Sequence, residues 1–342
     1  MKGKHVLITG HTGFKGSWLV AMLHSQGAKV SGISLDPVEG GIFQTAKLQE
    51  LLVHDLRKDI RDATALTESI QMVEPDIVIH LAAQPLVLAS YENPQETYET
   101  NVMGTLNVLQ AVEATPSVQA TLIITTDKVY RQESADQHAF VESDYLGAAD
   151  PYSTSKAMAD LLTQSWILSH PESKIGIARA GNVIGGGDVA ENRLLPDLVM
   201  AFGEGAPGVV RNPKSVRPWQ HVLDCLAGYL CLTEGLLSGS AKSGAYNFGP
   251  EPEAPLRVED VVKIAAAVWG EDARWIVEQR DQPHESQYLV LNSNKSQSIL
   301  GWKEKLTAQE AIEWSVEWSR SHFSGQSPRS LTFEQLSAFA SK

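Results

Sequence analysis

The chain has 342 residues, a length that fits one large α/β domain carrying a smaller lobe. Hydrophobic residues at 43% and charged residues at 20% are ordinary for a soluble globular protein, and no apolar stretch is long enough to span a bilayer. A net charge of −13 argues against nucleic acid or an anionic membrane as partner, but local arginines can still hold an anionic small ligand.

Residues 5–8 (HVLI) read as a buried strand and residues 17–26 as a helix. Between them stands Thr9-Gly10-His11-Thr12-Gly13-Phe14-Lys15-Gly16. One glycine lets the chain turn, one lets the backbone approach a pyrophosphate, and one lets the helix pack close to the sheet. The helix start then offers free N–H groups and a positive dipole end. Because the first strand begins so near Met1, there is no room for a signal peptide, and a cytoplasmic protein is expected.

Further apolar runs at 30–35, 51–53, 77–81, 122–125 and 175–178 alternate with helical patterns at 62–73, 94–114 and 151–170. Such alternation predicts a doubly wound parallel sheet of Rossmann type with crossover helices. The runs are rich in Val, Ile and Leu without strict alternation, as in strands covered on both faces. After Gly181 the pattern loosens, with loops at 185–187 and 203–208. The expected division is a dinucleotide-binding domain over 1–184, a smaller C-terminal α/β substrate lobe over 185–330 with segments that can return to the first domain, and a tail over 331–342. Residues 324–330 read as a flexible link to a terminal helix at 332–340. Cys225 and Cys231 fall six apart in one expected helix, on different sides, and are read as core-filling thiols of a reducing compartment.

Asp150 is a plausible N-cap and Pro151 suits the first turn of the helix that carries Tyr152 and Lys156. These two stand at i and i+4 and so share a face. A phenol ionises near ~10 and is a poor base unless a nearby cation favours its anion. Lys156 could supply that cation; the bland reading is a surface Tyr packed on a Lys stem. Thr126, Asp127 and Lys128 follow one apolar run and Asn182 follows the next, at the carboxyl ends of strands where open α/β sheets bind ligands. His80, at the end of another run, reads as a satisfied core histidine.

The glycine motif together with Tyr-x-x-x-Lys resembles the extended short-chain dehydrogenase/reductase superfamily. Residues 9–19 (TGHTGFKGSWL), 80–87 (HLAAQPLV), 96–108 (ETYETNVMGTLNV), 125–130 (TTDKVY), 178–188 (ARAGNVIGGGD), 211–222 (RNPKSVRPWQHV) and 283–288 (PHESQY) resemble its CDP-glucose 4,6-dehydratase branch. The resemblance implies a Thr126, Tyr152, Lys156 triad. In this scheme Tyr152 takes the sugar 4-OH proton while C4 gives hydride to NAD+, water leaves across C5–C6, and the hydride returns to C6. Asp127 would be the acid for the leaving hydroxyl. Lys128 would be the C5 base, or would hold the carboxylate and the developing enolate, or would simply pair with Asp127.

The resemblance also implies the ligand contacts. NAD would be held by Gly10, Thr12, Gly13, Phe14 and Gly16, by Ser34 or Asp36 at the ribose, by Asp59 and Ile60 at the adenine, and by Ala82, Ala83, Gln84, Asn101, Tyr152 and Lys156. The alanines read equally as packing. The nucleotide sugar would meet Gln84, Asn182, Arg193, Leu195, Arg211, Arg217, His284 and Tyr288. Of these, Arg217 is the stronger diphosphate candidate, and the late residues, Glu285 among them, read equally as a solvated cluster. No metal is implied. Two departures stand out: residues 131–145 are polar and acidic where this branch carries an aromatic-rich stretch, and Val129 stands where a Cys is expected. A homodimer through the helices at 94–114 and 151–170 is expected by analogy, as is a place in deoxysugar formation such as that of lipopolysaccharide O-antigen. The rival readings are a nucleotide-sugar epimerase or reductase, and a catalytically silent cofactor sensor.

Overall fold

A computed structural model describes residues 1–131, 138–250, 256–278 and 289–342. Seven strands form one parallel sheet: β1 (His5–Thr9), β2 (Lys29–Ser34), β3 (His54–Arg57), β4 (Ile77–His80), β5 (Ala120–Ile124), β6 (Ile175–Ala180) and β7 (Gly244–Phe248). Their order is β7-β6-β5-β4-β1-β2-β3. Val6 of β1 pairs with Val30 on one side and Ile77 on the other. The chain leaves β1 in one direction, returns, and continues from β4 in the other. That reversal opens a crevice above the carboxyl ends of β1 and β4.

Alternate residues of each strand feed opposite faces, so both layers of the sheet are apolar. Val6, Ile8, Ile77, Ile79, Leu122 and Ile124 pack against α1 (Phe14–Ser25) and against the later helix Val222–Ser238. Leu7, Ile33, Val78 and Ile123 pack on the other face against α2 (Ala63–Val73) and α3 (Gly104–Glu113), and α4 (Pro151–Ser169) lies on this side through Leu162 and Trp166.

Two local expectations are corrected and one is refined. Residues 51–53 are not a strand: a short 3-10 turn covers Leu48–Leu51, and β3 follows at His54–Arg57. As an edge strand with a half-exposed, polar sequence, β3 has no apolar run to reveal it. The helix expected over 94–114 forms without a gap over residues 94–113, but it carries a wide π-type turn at Glu99–Met103 between Pro94–Tyr98 and α3. Finally, helix Pro328–Ser341 starts inside the stretch read as a link, with Ser327 as its N-cap.

Beyond β6 the chain serves both lobes in turn. Helix Val222–Ser238 and β7 belong to the large sheet layer. A second core gathers Leu198, Phe202, Val261, Val262, Ile312 and Val316 from helices Leu194–Gly203, Val258–Trp269 and Ala308–Phe323. Helix Pro328–Ser341 then comes back to the first core through Leu331, Leu336 and Phe339. Cys225 and Cys231 are free thiols, and Cys225 is buried.

Candidate active site

At the end of β1 the backbone turns through Gly10 at φ +78°, and a Cβ there would lie 2.6 Å from the Ala82 amide nitrogen. A Cβ on Gly16 would strike the Gly10 carbonyl. Both positions therefore demand glycine. Helix α1 begins at Phe14 behind Gly13, which brings no capping side chain, so its leading amides open toward the crevice. This cradle fits a dinucleotide diphosphate.

The rest of the expected cofactor set falls into three groups. Ser34 ends β2 with its hydroxyl 2.6 Å from that of Thr12. Asp59, Ile60, Ala82, Ala83 and Gln84 line the same cleft. Asn101 lies beneath it, buried in the π-type turn; its amide accepts from the Gln84 N–H at 2.8 Å and donates to Ser155 Oγ at 2.8 Å. Asp36 is off the cleft wall. Its side chain is 91% exposed and faces Arg57 Nε at 3.6 Å, so of the two ribose candidates only Ser34 reaches the cleft.

Asp150 caps α4 by accepting from the Ser153 N–H at 2.8 Å, with Pro151 in the first turn. That cap fixes the helix entry and turns Tyr152 and Lys156 onto the cleft together. Thr126 follows β5; its hydroxyl donates to Asp127 Oδ1 at 2.9 Å and accepts from the Lys128 N–H at 3.4 Å. Lys128 Nζ lies 3.4 Å from Asp127 Oδ1 and 3.3 Å from Asn182 Oδ1. Asp127 is fully buried, its Oδ2 has no partner, and unlike Thr126 and Lys128 it lies behind the cleft wall rather than on it. Gly181 leaves that oxygen room, since a Cβ there would stand 3.2 Å from it.

Charge and burial oppose each other at the triad. Burial pushes the Tyr152 phenol up, while the charges of Lys128 and Arg193 and the Thr126 hydroxyl pull it down. Burial brings Lys156 down to about 8, helped by Lys15 and resisted by Asp160. Burial thus moves the two groups apart, the phenol above its ordinary range and the ammonium below its own. His80 stands apart: its Nδ1 lies 2.6 Å from Thr9 Oγ1 and its Nε2 3.1 Å from Thr105 Oγ1, a satisfied core histidine.

The substrate candidates Asn182, Arg193, Leu195, Arg211 and Arg217 line the same cleft, whose volume is about 2060 Å³. Arg193 pairs with Asp188 at 3.3 Å and Arg211 donates to Asn192 at 3.1 Å. Arg217 is only 5% exposed and donates to the Val216 carbonyl at 2.9 Å. His284, Glu285 and Tyr288 lie outside the described residues.

One wall residue was not singled out from sequence. Lys15, inside the glycine motif, places its Nζ 3.5 Å from the Tyr229 hydroxyl and feels the charges of Asp127, Lys128 and Arg193. The signal was a lysine in the first turn of an otherwise apolar helix.

A parallel Rossmann-type sheet whose glycine turn opens onto a Thr, Tyr, Lys set defines an enzyme of the short-chain dehydrogenase/reductase type. The pattern of the NAD dependent epimerase/dehydratase family matches residues 6–249, and the chain belongs to that family. It is 40% identical to the CDP-glucose 4,6-dehydratase of Salmonella typhimurium, across 99% of this chain and 97% of that protein. With the dTDP-glucose 4,6-dehydratase of Haemophilus influenzae the identity is 27%, across 92% and 97%. The fold is shared with the dTDP-glucose 4,6-dehydratase of Bacillus anthracis solved in complex with NAD, at TM-score 0.78, 21% identity and 93% and 97% coverage. It is shared too with the UDP-glucose-4-epimerase of Stenotrophomonas maltophila, at 0.82, 19%, and 94% and 100%.

Proposed function

We propose that this protein is a CDP-glucose 4,6-dehydratase that uses NAD and releases CDP-4-keto-6-deoxyglucose. The observation that carries this reading is the Asp127-Lys128 pair directly after Thr126, with the buried Asp127 Oδ2 left without a partner. A buried carboxylate oxygen without a partner is unusual, and this one lies directly behind the Thr126 and Lys128 wall of the cleft. The full-length likeness to a CDP-glucose 4,6-dehydratase supports the same substrate.

When bound, NAD would supply the hydride acceptor for the sugar C4 and the hydride donor for C6. Tyr152, with its anion favoured by the charges of Lys128 and Arg193 and by the Thr126 hydroxyl, takes the 4-hydroxyl proton, with Lys156 one helical turn further on. The resulting 4-ketone makes the C5 proton acidic. Asp127 protonates the departing 6-hydroxyl, and Lys128 serves C5 or steadies the enolate. The reaction is a net loss of water, so no outside oxidant is needed. Arg217, Arg211 and Arg193 hold the diphosphate; a guanidinium offers a planar fork to phosphate oxygens. Gly10, Gly13, Gly16, Thr12 and Ser34 hold the cofactor.

The same reading makes the protein a cytoplasmic homodimer. Met103 of the 94–113 helical stretch and Met158, Leu161 and Leu168 of α4 are exposed apolar side chains suited to a helix-to-helix seam. A monomeric mass in solution scattering would remove the dimer. For the activity, the enzyme is incubated with NAD+ and, separately, with CDP-, dTDP- and UDP-glucose. Mass loss of one water with CDP-glucose is expected. Inverted sugar without dehydration would indicate an epimerase, and no turnover with any sugar would favour a silent cofactor sensor.

A further inference from the structure

Behind the sugar-side wall lies a buried polar cluster that the chemistry above does not use. Arg179 of β6 and Asp160 of α4 are both fully buried, and the guanidinium donates to the two carboxylate oxygens through Nε and Nη2, each at 2.8 Å. Thr125, beside Thr126, donates to the same carboxylate at 3.0 Å. Arg179 Nη1 donates to the Tyr130 hydroxyl at 2.8 Å, and that hydroxyl donates to Asn247 Oδ1 at 2.6 Å. Asn247 Nδ2 in turn donates to the carbonyls of Phe140 at 2.9 Å and Asn292 at 3.2 Å.

These bonds join three parts of the chain that form no common element. Phe140 stacks on the Tyr130 ring at 4.9 Å with the planes 8° apart. Its backbone accepts from the Asn292 N–H at 2.8 Å and donates to the Val290 carbonyl at 2.9 Å. Tyr130 also bridges to Leu146, just ahead of the Asp150 cap. Tyr130, Phe140, Leu146 and Leu289 all reach the cleft wall. The Tyr130 hydroxyl thus links the wall segments to Arg179 and, through Asp160, to the helix of Tyr152 and Lys156; beside it, Arg179 Nη1 also donates to the Glu142 carbonyl of the same wall at 3.1 Å.

We propose that Tyr130 is a positioning residue that holds the 138–146 and 289–292 wall segments in register with the triad, so that the sugar nucleotide is seated against a preset wall. It acts on substrate seating and leaves the cofactor cradle alone, because that cradle is built from β1, β2, α1 and the turn after β4. The inference rests on the nucleotide-sugar reading given above.

Tyr130→Phe keeps the stack on Phe140 and removes only the hydroxyl. The expected result is a KM for CDP-glucose about tenfold higher or more, with kcat changed by less than about threefold and NAD affinity unchanged, because a small misplacement of a positioning surface is costly. Phe140→Leu, which loosens the same wall from its outer side, should raise KM as well. The double variant should cost less than the two single effects combined, as for residues acting as a unit. An unchanged KM in Tyr130→Phe would overturn the proposal. So would a parallel fall in kcat, NAD affinity and thermal stability, which would mark general structural damage. If Tyr130→Phe does not fold, Phe140→Leu decides in the same way. A wild-type protein that turns over no nucleotide glucose refutes the underlying reading; a wild type that does, with Tyr130→Phe matching its KM, refutes this inference alone.

Discussion

The ammonium of Lys156 donates to the carbonyl of Ile124, the last residue of β5, at 2.7 Å. This bond fastens the middle of α4 to the strand whose next residues are Thr125 and Thr126. It uses one of the three ammonium protons and leaves the others for the cleft. Tyr152, one helical turn earlier, is thereby set opposite Thr126. The strand end and the helix face, far apart in sequence, become one proton-handling unit.

From that geometry, Tyr152→Phe should lower kcat by roughly 10²–10⁴, the usual worth of a general acid–base group. The ring still fills its space, so NAD titration should give nearly the wild-type affinity. Steady-state rates beside a cofactor titration check both halves, and wild-type turnover would remove Tyr152 from its role.

Acid should destabilise the fold through two histidines. His80 and His221 are both buried and held at about 3 by desolvation, against an ordinary value of 6.5. Below 6.5 the unfolded chain takes up these protons and the folded one does not. Stability therefore falls as pH drops from 6.5 toward 3, and neither histidine contributes a slope above 6.5. Each is worth up to ~1.4 kcal/mol per pH unit. Urea midpoints at pH 7 and pH 5.5 should differ, and His221→Asn, which retains an acceptor for the Leu223 N–H, should flatten the change by about one proton.

What could be read from sequence was what one turn or one helix contains. Gly10, Gly13 and Gly16 sit within a single bend, and Tyr152 and Lys156 within one helical turn, so spacing alone brought them together. Ser34 against Asp36 could not be separated that way, because the outcome depends on where the chain leaves β2. The π-type turn that buries Asn101 under Gln84 leaves the helix over 94–113 unbroken and changes only its local period, which spacing does not reveal. The addition of β7 to the sheet beyond β6, and the link from Tyr130 to Asn247, depend on pairings more than a hundred residues apart in sequence for Tyr130 and Asn247. No local pattern encodes such pairings.

Arg217→Ala should weaken the sugar nucleotide far more than the cofactor. The chain carries −13 overall, so a diphosphate needs a specific cation in order to settle. A charged hydrogen bond is worth about 1.5–3 kcal/mol, roughly tenfold or more in affinity. Calorimetry with CDP-glucose should show that loss, with NAD binding retained. Equal affinity in the variant would make Arg217 a scaffold residue of the short strand Val216–Arg217.

Asp127→Asn should separate oxidation from elimination. Thr126, Tyr152 and Lys156 are untouched, so the 4-hydroxyl can still lose its proton and reduced cofactor should form once substrate is added. The amide cannot deliver a proton to the departing 6-hydroxyl, so water loss should stall. Reduced nicotinamide absorbance should then persist on the variant with little 4-keto-6-deoxy product, whereas the wild type should show no lasting signal. The amide is close in shape to the carboxylate, and Asn Oδ1 can still accept from the Thr126 hydroxyl, so folding should survive. The result also discriminates between readings. An epimerase would give no dehydrated product from either protein, and a silent sensor would give no reduced cofactor from either. Normal product from Asp127→Asn would remove Asp127 as the acid and move the role to Lys128 or to a bound water.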